Sequence, residues 1–291
     1  MSSNLSINNA LCNACGSCVK ECGHHVQHQK EERINPNNSE CIGCYHCFTV
    51  CPRNAIEIKS NPNAPAFSEE LLGTISEENL TQFLAYRRSI RSFKDKIVEE
   101  SLVEKLIEKA RYIPSGGNAH SYEFTVIKSE EAKKNIKQEL YNIYKMRSRV
   151  LNNVILRNVL KPFVNTQMKG FLKDKAYRER IRKLIDRIYE GDDPFFYNAP
   201  VVVVIHSKAS IPTPKEDCVL AGYNITLMAQ VFGLGSCFVT LAQNAINASS
   251  RCKKVINISP QDNINAVIIL GYPAVQHRRI APKPSKKINW C

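Results

Sequence analysis

The sequence predicts an α+β protein in two parts, a small lobe organised by cysteines and a larger domain of buried strands and helices. Three observations predict it. Eight of the 12 cysteines lie between Cys12 and Cys51, so the rest of the chain must bury its own apolar core. The runs Ala199–His206 and 266–271 read as strands covered on both faces, because apolar residues continue without alternation. Val98, Leu102, Val103, Leu106, Ile107 and Ala110 recur at helical spacing over about 98–111. A chain of 291 residues holds one large domain and a small one.

The first domain is expected over residues 1–60. Cys12, Cys15, Cys18 and Cys22 form C-x2-C-x2-C-x3-C, and Cys41, Cys44, Cys47 and Cys51 repeat it before Pro52. Three thiolates spaced this way converge on three corners of an iron–sulfur cube, while the fourth reaches a different cube, as in bacterial two-cluster ferredoxins. On that pattern one [4Fe–4S] cluster takes Cys12, Cys15, Cys18 and Cys51, and the other takes Cys41, Cys44, Cys47 and Cys22. Zinc sites usually pair two short C-x2-C arms, so zinc and a disulfide framework fit the spacing less well. Gly16 and Gly43 let backbone amides approach the cluster sulfurs. Each half reads as a cysteine loop followed by a small strand, with Ala55–Ile58 the strand of the second. The first run ends Cys22-Gly23, without the proline, and His24, His25, His28 and His46 read as surface histidines.

The net charge is +13, unevenly spread. Residues 1–60 balance Lys20, Lys30, Arg33, Arg53 and Lys59 against Glu21, Glu31, Glu32, Glu40 and Glu57. Each loaded cube adds about −2, so the lobe becomes acidic while the remainder is basic. Between Lys145 and Arg187 thirteen Lys or Arg face only Asp174, Glu179 and Asp186, a net +10. No nucleic-acid signature accompanies the stretch, so it reads as a solvated helical face and no nucleic acid is expected. Cys218, Cys237, Cys252 and Cys291 lack metal spacing and read as free thiols. No run approaches the roughly 18 apolar residues of a membrane span, and no leader pattern opens the chain. A cytoplasmic protein without membrane partners is expected, in a compartment that suits thiolate ligands.

Residues 61–75 read as a linker, with Pro62 and Pro65 and no periodicity. A helix begins at Ser76 with Leu80, Phe83 and Leu84 on one side, and runs into Arg87-Arg88-Ser89-Ile90-Arg91-Ser92-Phe93. The helix at 98–111 stops at Pro114-Ser115-Gly116-Gly117-Asn118, and Phe124–Ile127 reads as a strand. Residues 129–192 read as a basic helical insertion without a clean core stripe, interrupted near Pro162 and Gly170. A long apolar helix over 217–232 ends at Gly233-Leu234-Gly235, and a basic, proline-broken tail follows Gly271-Tyr272-Pro273.

Arg87 to Phe93, Pro114 to Asn118 and Gly271-Tyr272-Pro273, in this order, resemble the FMN-dependent nitroreductase family over residues 76–291. With the cysteine lobe, the chain is similar to ferredoxin–nitroreductase fusions. The resemblance implies a nitroreductase-like α/β/α sandwich with a mostly antiparallel sheet beside a small two-cluster ferredoxin-like lobe. It implies FMN, whose phosphate of about −2 calls for guanidinium forks and a hydroxyl. That work falls to Arg87, Arg88, Ser89 and Arg91, with Arg278 or Arg279 finishing the phosphate site. The loop of Pro114, Ser115, Gly116 and Asn118 would meet the flavin across a homodimer interface, and the amides of Thr240 and Leu241 would lie by flavin N5. His120-Ser121-Tyr122 departs from the aromatic or apolar pair frequent in the family, so no substrate-contacting or catalytic side chain is carried over. The implied activity is reduction of a small nitro or similarly electron-poor acceptor by hydride transfer from flavin N5. The electrons would come from NAD(P)H or a reduced ferredoxin and pass through the two clusters. The alternative is a ferredoxin-type electron carrier or redox sensor whose second domain docks a partner.

Overall fold

The structure is a computed structural model that describes residues 5–23, 27–30, 33–36, 41–58, 69–164 and 166–291. The chain divides into two compact units, one of Met1–Ser76 with Pro114–His120, the other of Glu77–Ile113 with Ser121–Cys291.

In the first unit β1 (Leu5–Ile7) pairs antiparallel with β4 (Ile56–Ile58), Leu5 opposite Ile58. Between them lie α1 (Ser17–Glu21), the antiparallel ribbon of β2 (Gln27–Lys30) and β3 (Arg33–Pro36), and α2 (His46–Thr49). The expected small strand after the first cysteine run is therefore a two-stranded ribbon. Both cysteine loops turn through left-handed backbone, at Gly16 (φ 75°) in one and at Gly43 (φ 68°) and Tyr45 (φ 60°) in the other. Leu5, Cys18, Cys47 and Ile56 form the small core. Residues 61–68 of the expected linker, and His24 and His25, lie outside the described residues. The linker's second half is helical, α3 (Glu69–Thr74). Glu69, Glu70, Leu71 and Leu72 are strong helix formers beyond the last proline of that stretch, which accounts for the difference.

The second unit begins with α4 (Glu77–Tyr86), α5 (Glu100–Ala110) and β5 (Tyr122–Ile127). The insertion follows as α6 (Glu130–Asn152), α7 (Val154–Leu160), α8 (Thr166–Lys173) and α9 (Lys175–Tyr189). Then come β6 (Val201–Lys208), α10 (Pro214–Val231), β7 (Gly235–Phe238), α11 (Thr240–Ala248), α12 (Ser250–Val255) and β8 (Asp262–Gly271). The sheet runs β5–β6–β8–β7, every pair antiparallel. Its two-residue period sends Val202 and Val204 of β6 to one face, and Val201, Val203 and Ile205 to the other. The first face is covered by α6, α9, α11 and α12, the second by α5 and α10. This is the expected α/β/α sandwich, with β6 and β8 in its middle.

The expectation that the insertion lacks a core stripe is corrected. Ile136, Leu140 and Tyr144 of α6 recur every four residues and are buried, and α9 buries Ile181, Leu184 and Ile185. Lysines hide the stripe in the sequence. Lys133 itself is buried, its Nζ donating to the carbonyls of Ala199 (3.1 Å) and Pro200 (3.2 Å). Gly170 does not interrupt the insertion but lies inside α8, whereas Pro162 sits in a single 3-10 turn, Lys161–Phe163. The stripe expected on α4 is present but uncovered, with Leu80 48% and Leu84 39% exposed.

Candidate functional site

In the first unit, Cys12, Cys15, Cys18 and Cys51 line one cavity with Ile7, Ala55 and Ile56. The last cysteine of the second run thus lies with the first three of the first run, because β4 returns beside β1 and carries the Cys51 loop with it. Cys22 ends α1, which packs on α2, the helix that carries Cys47. Two amides point at cysteine sulfurs, Ala55 N to Cys51 Sγ at 3.2 Å and Gly43 N to Cys41 Sγ at 3.4 Å. Burial pushes the Cys18 thiol up and the Cys47 thiol up to about 11, while the Ser17 hydroxyl beside Cys15 draws that thiol down. Thiols around an apolar cavity, with amides on their sulfurs, are the donor set an iron–sulfur cube requires.

In the second unit the arginine segment is held between two strand ends. Ile90 N donates to Ser236 O (2.9 Å), Lys94 N to Tyr272 O (2.8 Å) and Ala274 N to Ser92 O (2.9 Å). Gly235 and Gly271 make this close approach possible. A Cβ on Gly235 would lie 2.7 Å from Ile90, and one on Gly271 would lie 2.7 Å from both Phe93 and Pro200.

Held this way, Arg87 and Arg88 line a cavity of about 330 Å³, which Ser236, Gln230 and His277 also border. This volume is at the lower end of small-molecule sites, roughly 300–1,000 Å³. Arg88 Nη1 donates to Arg87 O at 2.8 Å, but its Nη2 is buried without an acceptor. A buried guanidinium N–H left this way costs about 1–3 kcal/mol or more. Arg87 lies 6.0 Å from the centroid of the Tyr223 ring, and Arg91 5.7 Å from that of Tyr197. Ser89 and Arg91 are exposed beside the cavity-lining pair. Guanidinium groups and a nearby hydroxyl are the donors a phosphate anion calls for.

The other expected site residues are placed less closely. Pro114, Ser115, Gly116 and Asn118 belong to the first unit, where Gly116–Asn118 is a 3-10 turn and Asn118 Nδ2 donates to Ile42 O at 3.1 Å. Thr240 opens α11 and is exposed with Leu241, whose carbonyl accepts Tyr144 Oη at 2.9 Å. Arg278 and Arg279 are exposed and do not line the arginine cavity, which His277 reaches instead. Tyr223, Thr226 and Gln230 were missed by sequence reasoning. Their signal was there, as polar groups at i, i+3 and i+7 on one side of an apolar helix.

Comparison with known proteins gives two family matches, the Nitroreductase family over residues 84–272 and the 4Fe-4S dicluster domain over residues 4–52. A curated relative, the archaeal-type glutamate synthase of Dehalococcoides mccartyi, is 34% identical over 53 residues, 18% of this chain and 11% of its own. The chain thus spans about a tenth of that relative's length. The iodotyrosine deiodinase of Hydra vulgaris is 24% identical over 190 residues, 65% of this chain and 62% of that protein. A solved nitroreductase with bound FMN from Desulfitobacterium hafniense superposes with a TM-score of 0.53 at 18% identity, covering 74% of this chain and 100% of its own. That likeness concerns the fold.

Proposed function

The chain belongs to the Nitroreductase family of oxidoreductases and carries a 4Fe-4S dicluster domain ahead of the matched region, and we propose that it is an FMN enzyme fed by two built-in [4Fe–4S] clusters. The observation that carries this reading is the cavity of Arg87 and Arg88, with Arg88 Nη2 buried and lacking an acceptor. Arg87, Arg88 and Ser89 bind the phosphate, Arg91 assists from the segment's exposed side, and the tail after Pro273 closes the site. FMN supplies hydride transfer from N5 to a small nitro or similarly electron-poor acceptor, drawing on two electrons, one through each cluster. The protein's part is positioning and electrostatics. The segment 87–91 holds the phosphate end, and the start of α11 presents backbone amides to the ring.

Cys12, Cys15, Cys18 and Cys51 hold one cluster, and Cys41, Cys44, Cys47 and Cys22 hold the other. The working form is a homodimer in which the Pro114–Asn118 loop completes the neighbour's flavin site. The exposed Leu80 and Leu84 on α4 give an apolar face for such an association. The donor is a reduced ferredoxin, which passes single electrons to the clusters, or NAD(P)H, which gives its hydride to FMN directly. The test is anaerobic assay of purified protein with each donor and a nitroaromatic acceptor, together with counts of released FMN and of iron. One FMN and about eight irons per chain with donor-dependent turnover support the reading; iron without stoichiometric flavin would leave only an electron carrier.

A further inference from the structure

We infer that Asn118 tunes the reduction potential of the cluster held by Cys41, Cys44, Cys47 and Cys22, acting through a single peptide unit; this rests on the two-cluster reading above. Asn118 Nδ2 donates to the Ile42 carbonyl at 3.1 Å. The same peptide's N–H, on Gly43, donates to Cys41 Sγ at 3.4 Å. The two bonds therefore share one conjugated unit, Asn118 on its oxygen and the ligand sulfur on its nitrogen side. A donor on the oxygen draws electron density from the nitrogen, which leaves the N–H more positive. A stronger N–H bond to a ligand sulfur favours the more negative, reduced cluster and raises its potential.

The amide is held for this contact. His120 Nε2 lies 2.8 Å from Asn118 Oδ1, so in the tautomer with Nε2–H it holds the oxygen toward the imidazole and the NH2 toward Ile42. Ser115 ties the loop from its other end, its carbonyl accepting Asn118 N at 3.0 Å and its Oγ accepting His120 N at 3.1 Å. A structural account competes with this one. Asn118 has φ 53°, and asparagine is common in left-handed turns for reasons of backbone alone. Glycine tells the two apart, because it keeps such a turn and removes the donor.

The experiment is an anaerobic redox titration of the full protein with both clusters loaded, followed by electron paramagnetic resonance. Asn118→Gly should lower the midpoint potential of the cluster whose signal is lost in Cys44→Ala. The expected size is about threefold in the equilibrium constant, roughly 30 mV for one electron. Asn118→Asp places an acceptor and a negative charge against the Ile42 carbonyl and should lower it further. The other cluster should not move. Unmoved potentials, equal shifts at both clusters, or variants that assemble neither cluster overturn the inference. With about eight irons in the unaltered protein those results leave the two-cluster reading standing, whereas a lower count overturns both.

Discussion

Tyr144 Oη donates to the Leu241 carbonyl at 2.9 Å, so the basic insertion is bonded to the first turn of α11. Tyr144 is 1% exposed, and burial pushes its hydroxyl up to about 12. The folded value lies above the ordinary tyrosine value of about 10, so the neutral form's stability is fully present below pH 10 and is lost as pH rises toward 12. The difference between the two values corresponds to about 2–3 kcal/mol. Tyr144→Phe should remove that part of the alkaline destabilisation, checked by urea unfolding of both proteins between pH 8 and 11.5. Near pH 8 the variant should cost about 0.5–1.5 kcal/mol for the lost hydrogen bond. Parallel pH curves for the two proteins would contradict this.

Arg88 gives a prediction of opposite sign with and without flavin. Its Nη2 is buried without an acceptor, so Arg88→Met should leave the flavin-free protein as stable or more stable by about 1 kcal/mol. The same change should weaken FMN by about tenfold or more, since a charge-assisted bond contributes roughly 1.5–3 kcal/mol. Thermal unfolding with and without added FMN checks both halves. Arg87→Ala should weaken FMN comparably.

Gly235 and Gly271 should resist alanine. A new Cβ at Gly235 meets the branch of Ile90, including its Cβ, at 2.7–2.8 Å, so the backbone must part. Gly235→Ala should cost about 1–3 kcal/mol, as overpacking does, and should loosen FMN because it displaces the arginine segment. Equilibrium unfolding and flavin titration measure the two effects separately.

The crossed ligation proposed for the clusters makes a pairing prediction. Cys51→Ala should damage the cluster of Cys12, Cys15 and Cys18, whose cavity Cys51 shares. Cys22→Ala should damage the cluster of Cys41, Cys44 and Cys47. Spectra in which each change removes the cluster nearer in sequence would contradict the assignment.

Much of this was readable from residues and some was not. The apolar run at 199–206 announced a central strand, because only a strand covered on both faces needs no polar alternation. The cysteine spacing announced the lobe. Gly235–Phe238 did not announce a strand: Gly235, Ser236 and Cys237 carry little β-propensity, and the segment gains its place from pairing with β8. The stripe Ile136, Leu140 and Tyr144 was masked by lysines, one of which is buried through its carbonyl partners. At the arginine site the family resemblance pointed to Arg278 or Arg279, while His277 of the same tail borders the cavity.

On the proposed function, electrons reach the acceptor from both clusters through FMN. Anaerobic titration of the loaded protein with dithionite, followed by mixing with limiting nitroaromatic acceptor, tests it most directly. About four electrons should be taken up per chain, two by the flavin and one by each cluster, and flavin and clusters should reoxidise together. Flavin that reoxidises while both clusters stay reduced would contradict it.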